Sequence, residues 1–177
     1  MSAGCPIGYD QLAYVRLTHW DYSHKVQWGE LVVNKRVASS IVSVFRELFV
    51  NEVEIERMVL VDAFGRGEGP MSGADDFASI ESNNTSAFNC RARTGSSSKF
   101  SQHSYGLAID INPLQNPYVS GGTTVHLKSR PYLDRNSGDP HIITSSGPVV
   151  AAFARIGWKW GGSWNTKDYQ HFSENSR

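Results

Sequence analysis

Apolar and polar positions along the chain form a few clear patterns. In "KVQWGELVVN", Val26, Trp28, Leu31 and Val33 read as a strand, with Gly29 placed for a bulge or turn. Directly after it, Val37, Ile41, Val44, Phe45 and Leu48 recur at spacings of three and four, which predicts a helix with one apolar stripe and Asn34 as its N-cap. "ERMVLVDAF" predicts a second strand running into the glycine-rich "GRGEGPMSG", and "TSAFNCRAR" predicts a short third one. The polar residues 75–84 between them suit an irregular, partly helical crossing. Near the C-terminus, Val149, Val150, Phe153 and Ile156 mark a last helix. Ser145 or Ser146 would cap it, Pro148 falls in its first turn, and Gly157 stops it. "WKWGG" and "YQHFS" are the final strand-like pieces. Residues 1–24 read as an N-terminal arm. Residues 113–140 form a long Pro/Gly-rich loop of the kind that usually covers or binds something. Helices and strands do not alternate regularly, so the expected fold is α+β, a small antiparallel sheet flanked by helices in a single domain over 1–177.

Charge narrows the partners. Seventeen basic residues balance seventeen acidic ones, so no net field steers a polyanion toward the protein and nucleic acid is not expected. No apolar run approaches the roughly 18 residues of a membrane-spanning helix. The start, "MSAGCPIGYD", lacks the basic-then-apolar pattern of a secretory signal. Cys5 and Cys90 are the two cysteines, far apart and in no metal-knuckle spacing; they would pair if the protein is exported and stay free if it is not.

The chemistry concentrates in "SQHSYGLAIDIN", residues 101–112. Taken as a strand from about Tyr105, it puts Ala108, Asp110 and Asn112 on one face and Leu107, Ile109 and Ile111 on the other. A turn at Gly106 can then bring the His103 imidazole over the face that carries Asp110. A carboxylate among isoleucines is costly to bury unless something cationic compensates it. Imidazole and carboxylate together suit a divalent ion, and zinc accepts both. His171 in "DYQHF" supplies a third candidate ligand, with Asp168 three residues earlier as a nearby carboxylate. Three protein ligands leave a position for water, whose pKa zinc lowers to near 7. Asp168 suits the base that takes the water's proton. Each residue alone has a plainer explanation, such as a hydrogen-bonded strand histidine or a turn carboxylate. Their joint pattern is what points to a site.

"SQHSYGLAID" matches the SxHxxGxAxD signature of the VanY-like zinc peptidases, the D-alanyl-D-alanine carboxypeptidase and L-alanyl-D-glutamate endopeptidase family, and "DYQHF" matches their second motif. The resemblance extends over "NNTSAFNCR" and "IDINPLQNPYV", roughly Glu30 to Ser173. It implies Zn2+ bound by His103, Asp110 and His171, with Asp168 as general base. It also implies an upstream arginine that binds substrate and the developing oxyanion. Arg91 fits best, and Arg93 competes because it faces the same side of a strand. A fixed guanidinium in a water-poor cleft can stabilise such an oxyanion by several kcal/mol. Ser101 would orient the metal shell or the substrate, and Trp164 could wall the cleft. A Ser101/His103/Asp110 triad lacks the GxSxG elbow. His19, His24, His126 and His141 are taken as surface or packing residues.

The resemblance thus implies a hedgehog/D-Ala-D-Ala peptidase-like fold and a monomeric metallopeptidase that cuts a stem-peptide bond of peptidoglycan. That bond is either L-Ala-D-Glu or the terminal D-Ala-D-Ala. The alternative is a non-catalytic, zinc-bearing wall-binding module. Its substrate places such an enzyme outside the cytoplasmic membrane, in the periplasm or cell wall, or makes it a phage lysin.

Overall fold

The protein is described by a computed structural model covering residues 4–69, 71–96 and 98–175. Two small antiparallel sheets and three α-helices make up an α+β fold. The first sheet is a hairpin of β1 (Leu12–Trp20) and β2 (Val26–Asn34). The expected N-terminal arm therefore contains a nine-residue strand, residues 1–3 lying outside the described residues. In β2 Leu31 and Val33 are buried as read from the sequence, but Val26 and Trp28 lie on the other face and are exposed. Gly29 makes no bulge, since it pairs in register with Leu17. A Cβ there would lie 2.3 Å from Met58 Cε, so the glycine admits a core methionine.

Asn34 caps as expected, its side chain accepting from the Arg36 backbone N–H, but it caps a 3-10 turn over Lys35–Val37 that leads into α1 (Ala38–Val50). The stripe of Ile41, Val44, Phe45 and Leu48 is buried against the hairpin and the C-terminal elements. α2 (Asp76–Glu81) realises the partly helical crossing, capped by the Asp75 carboxylate, which accepts from the Ala78 N–H. α3 (Pro148–Arg155) has Pro148 at its first position. Its N-cap is Gly147 rather than either serine, and no side chain caps it.

Two expected strands are absent among the described residues. "ERMVLVDAF" ends in a 3-10 turn over Val61–Phe64, and the backbone of Val59 is satisfied by the Asn84 side chain, which accepts from its N–H at 2.9 Å and donates to its carbonyl at 3.0 Å. An amide side chain stands where a neighbouring strand would be. Along "TSAFNCRAR" the partners change every few residues: Thr85 N–H donates to Arg57, Ser86 to Asp110, Phe88 to Val32 and Asn89 to His103. That segment is extended but joins no ladder.

The second sheet has the order β3-β5-β4, from β3 (Ala108–Asp110), β4 (Lys159–Trp160) and β5 (His171–Ser173). Ile109 lies opposite Phe172, and both side chains are fully buried in the core, where Phe172 stacks on Phe153 at 4.3 Å. Asp110 lies opposite His171, and residues directly opposite in an antiparallel pair share a face. One sheet thus turns Ile109 and Phe172 into the core and the other two side chains away from it.

The long loop contains a 3-10 helix, Leu127–Leu133. Arg135 pins it: its guanidinium donates to the carbonyls of Gln115 and Ile143 and to Asn116 Oδ1, and it sits 4.1 Å over the Tyr169 ring.

Cys5 and Cys90 form a disulfide that ties the N-terminal segment to the residue before Arg91. It bridges a sequence separation of 85 residues, so reducing it is expected to cost about 2–4 kcal/mol. Calorimetry with and without reductant, or on Cys90→Ser, should show the melting temperature falling by roughly 5–15 °C. An unchanged transition would mean that the link does not constrain the unfolded chain.

Candidate metal centre and cleft

His103 reaches the site from a 3-10 helix, Gln102–Tyr105, that turns at Gly106, and the strand after it starts at Ala108 rather than at Tyr105. Ser101 caps this helix, its Oγ accepting from the His103 N–H at 3.3 Å. Gly106 ends it in the left-handed region at φ 65°. A Cβ at Gly106 would stand 2.5 Å from the Asn34 backbone nitrogen, so only glycine lets this turn dock on the end of β2. Ser104 ties the helix to the preceding segment, its Oγ accepting from the Arg91 N–H at 2.9 Å and lying 2.7 Å from the Arg91 carbonyl.

These constraints bring three side chains together. Ligand atoms of His103, Asp110 and His171 all lie within 4.8 Å of one another, and all three residues are buried. His103 Nε2 is 3.2 Å from Asp110 Oδ2 and 3.3 Å from His171 Nδ1, which is itself 2.9 Å from Asp110 Oδ1. On its far side, His103 Nδ1 is 2.5 Å from the Ala87 carbonyl. A carbonyl can only accept, so Nδ1 carries a proton and Nε2 turns its lone pair inward in the neutral ring. A lone pair and a carboxylate facing each other across a buried gap repel unless positive charge lies between them. The donor set therefore fits a cation.

Asp110 and His103 also shift each other's protonation. Burial alone would raise the Asp110 carboxyl, but His103 and then His171 outweigh it and hold the group well below the usual carboxylate range. For His103, burial opposes the charged ring, yet the Asp110 charge prevails and its pKa is raised.

The three residues lie on the wall of a cleft of about 860 Å³. Asp168, half-buried, lines the same cleft at the turn before β5, where its carbonyl accepts from the His171 N–H at 3.2 Å. The turn is seated on Gly161: a Cβ there would stand 2.5 Å from the Asp168 carbonyl oxygen. Trp164 also lines the cleft, its ring 5.3 Å from that of His171 and tilted by 52°.

Arg91 and Arg93 both line the cleft. Arg91 is the better fixed: its Nη2 is 3.1 Å from Asp76 Oδ2, its Nη1 donates to the Ala92 carbonyl, and its charge works against the net rise in the His103 pKa. Its extended segment also accepts from the Ser101 N–H, which joins it to the helix of His103.

Of the other histidines, His19 is buried and His24 exposed, in keeping with packing and surface roles, while His141 is held between Glu54 and Asp139. His126 is buried and lines the cleft. No local motif marks it, because only the folding of the long loop onto α2 brings it there.

The site therefore has the donor set of a two-histidine, one-carboxylate metal centre. Residues 94–174, just under half of the chain, match the family described as D-alanyl-D-alanine carboxypeptidase. The resemblance read from the two motifs thus stands for this segment, and the chain carries a peptidase-family segment. Ser101, His103, Asp110, Trp164, Asp168 and His171 fall inside the match. The stretch from Glu30 to Arg93, with Arg91, falls outside it, so the match is shorter than the resemblance read from the sequence. No curated protein and no solved structure matches the chain. Among the described residues, no helix is long and apolar enough to cross a membrane.

Proposed function

We propose that this protein is a zinc peptidase that hydrolyses a stem-peptide bond of peptidoglycan outside the cytoplasmic membrane. The observation that carries this reading is the convergence of two imidazoles and a carboxylate on one buried point of a cleft that also receives Asp168 and Arg91. The family match supports the substrate class.

In this reading His103, Asp110 and His171 hold the ion. Zinc there would supply the Lewis acidity that makes water a nucleophile at neutral pH. Asp168 takes a proton from the attacking water and passes it to the amine that leaves as the C–N bond breaks. Arg91, fixed by Asp76, stabilises the negative charge on the former carbonyl oxygen. Ser101 holds the His103 backbone, and Trp164 walls the cleft beside His171 and excludes water.

The test is a digest of muropeptides read by mass. Chelation should abolish cleavage and added zinc should restore it. Loss of the mass of one D-alanine identifies a carboxypeptidase, and a split between L-alanine and D-glutamate identifies an endopeptidase. Cleavage that survives complete chelation would defeat the metal mechanism. Intact muropeptides with zinc-loaded protein would leave a wall-binding module instead.

A further inference from the structure

His126 plays no part in the chemistry above, yet the fold builds a seat for it. It is 7% exposed. Its Nδ1 lies 2.9 Å from Glu81 Oε1 at the end of α2, and its ring stacks on Phe77 with centroids 4.5 Å apart. Lys128 braces the same glutamate, its Nζ donating to the Glu81 carbonyl at 2.9 Å. The Glu81 carboxylate accepts, so Nδ1 is the protonated nitrogen and Nε2 of the neutral ring keeps its lone pair. Among the described residues Nε2 has no hydrogen-bond partner, and the ring lines the cleft. A nearly buried imidazole clamped on one nitrogen and one face, with its second nitrogen unused beside a substrate-sized cavity, is arranged to accept a hydrogen bond from something that enters.

α2 braces a second group on the same wall. Its first residue, Asp76, holds Arg91, and its last, Glu81, holds His126. Both braced side chains line the one cleft.

We infer that His126 is a substrate-binding residue that sets a peptide-length requirement: its Nε2 accepts from a backbone N–H of the bound peptide, at a residue beyond those that flank the cleaved bond. This rests on the peptidase reading above. The test compares kcat/KM of the zinc-loaded protein for a full stem peptide and for peptides shortened by two residues on either side of the cleaved bond. Wild type should favour the full peptide by about tenfold over one of the shortened forms. In His126→Asn the amide nitrogen can replace Nδ1 toward Glu81 but nothing replaces Nε2, and the preference should collapse toward one. His126→Gln, whose amide reaches the Nε2 position, should recover most of it. A folded His126→Asn that keeps the wild-type ratio overturns the inference while leaving the peptidase reading intact. If no form cleaves any peptide, that reading fails. The 15N resonance of His126 Nε2 in wild type, followed as the full peptide is added, then decides: a shift supports the contact, and an unmoved resonance overturns it. The same measurement decides if the variants do not fold.

Discussion

Replacing Asp110 with alanine is expected to abolish zinc binding and hydrolysis together. The carboxylate is the only negative charge among the three proposed ligands, and both imidazoles face it at 2.9 and 3.2 Å. Without it two neutral nitrogens would have to hold a dication in a buried pocket. The lost transition-state stabilisation is several kcal/mol, on the order of a thousandfold or more in rate. A second readout is independent of turnover. Zinc at about a hundred times its dissociation constant stabilises the folded state by about 2.7 kcal/mol, which should raise the wild-type melting temperature by roughly 5–10 °C. Asp110→Ala should show no such rise. An equal rise in both proteins would place the ion elsewhere.

Asp168→Ala is expected to separate binding from chemistry. Asp168 lines the cleft but is not one of the three clustered residues. The variant should keep the zinc-dependent rise in melting temperature while kcat falls by about 10²- to 10⁴-fold, the usual worth of a positioned acid–base group. Single-turnover cleavage of a stem peptide, alongside a zinc titration, measures both quantities on one sample. Undiminished kcat would remove Asp168 from the role of base.

How much of this the sequence disclosed depended on where each structural reason lay. α1 and β2 were legible because each buries one face, and that face repeats at its own period. β1 was not, because both of its faces carry apolar groups: Val15 and Leu17 turn inward with a buried histidine, His19, while on the other face Tyr14 is exposed and Trp20, half-buried, stacks on Phe49. The strand expected at "ERMVLVDAF" has the apolar run of a strand, but Asn84 takes the place of its neighbour, which no local pattern announces. The three clustered side chains were legible because two compact motifs hold them, and the β3–β5 register brings the motifs together. His126 lies in a stretch without periodicity and gains its place only through Glu81 and Phe77, 45 and 49 residues away in sequence.

Asp110 is paired on both flanks: its N–H and carbonyl exchange hydrogen bonds with Ser86 on one side, and His171 stands opposite it on the other. A carboxylate mounted on so fully clamped a peptide unit has little freedom to swing toward an arriving ion. Discrimination among cations would then follow from how well each one's radius suits a socket of fixed width, and an ion of the wrong size would be bound poorly rather than accommodated.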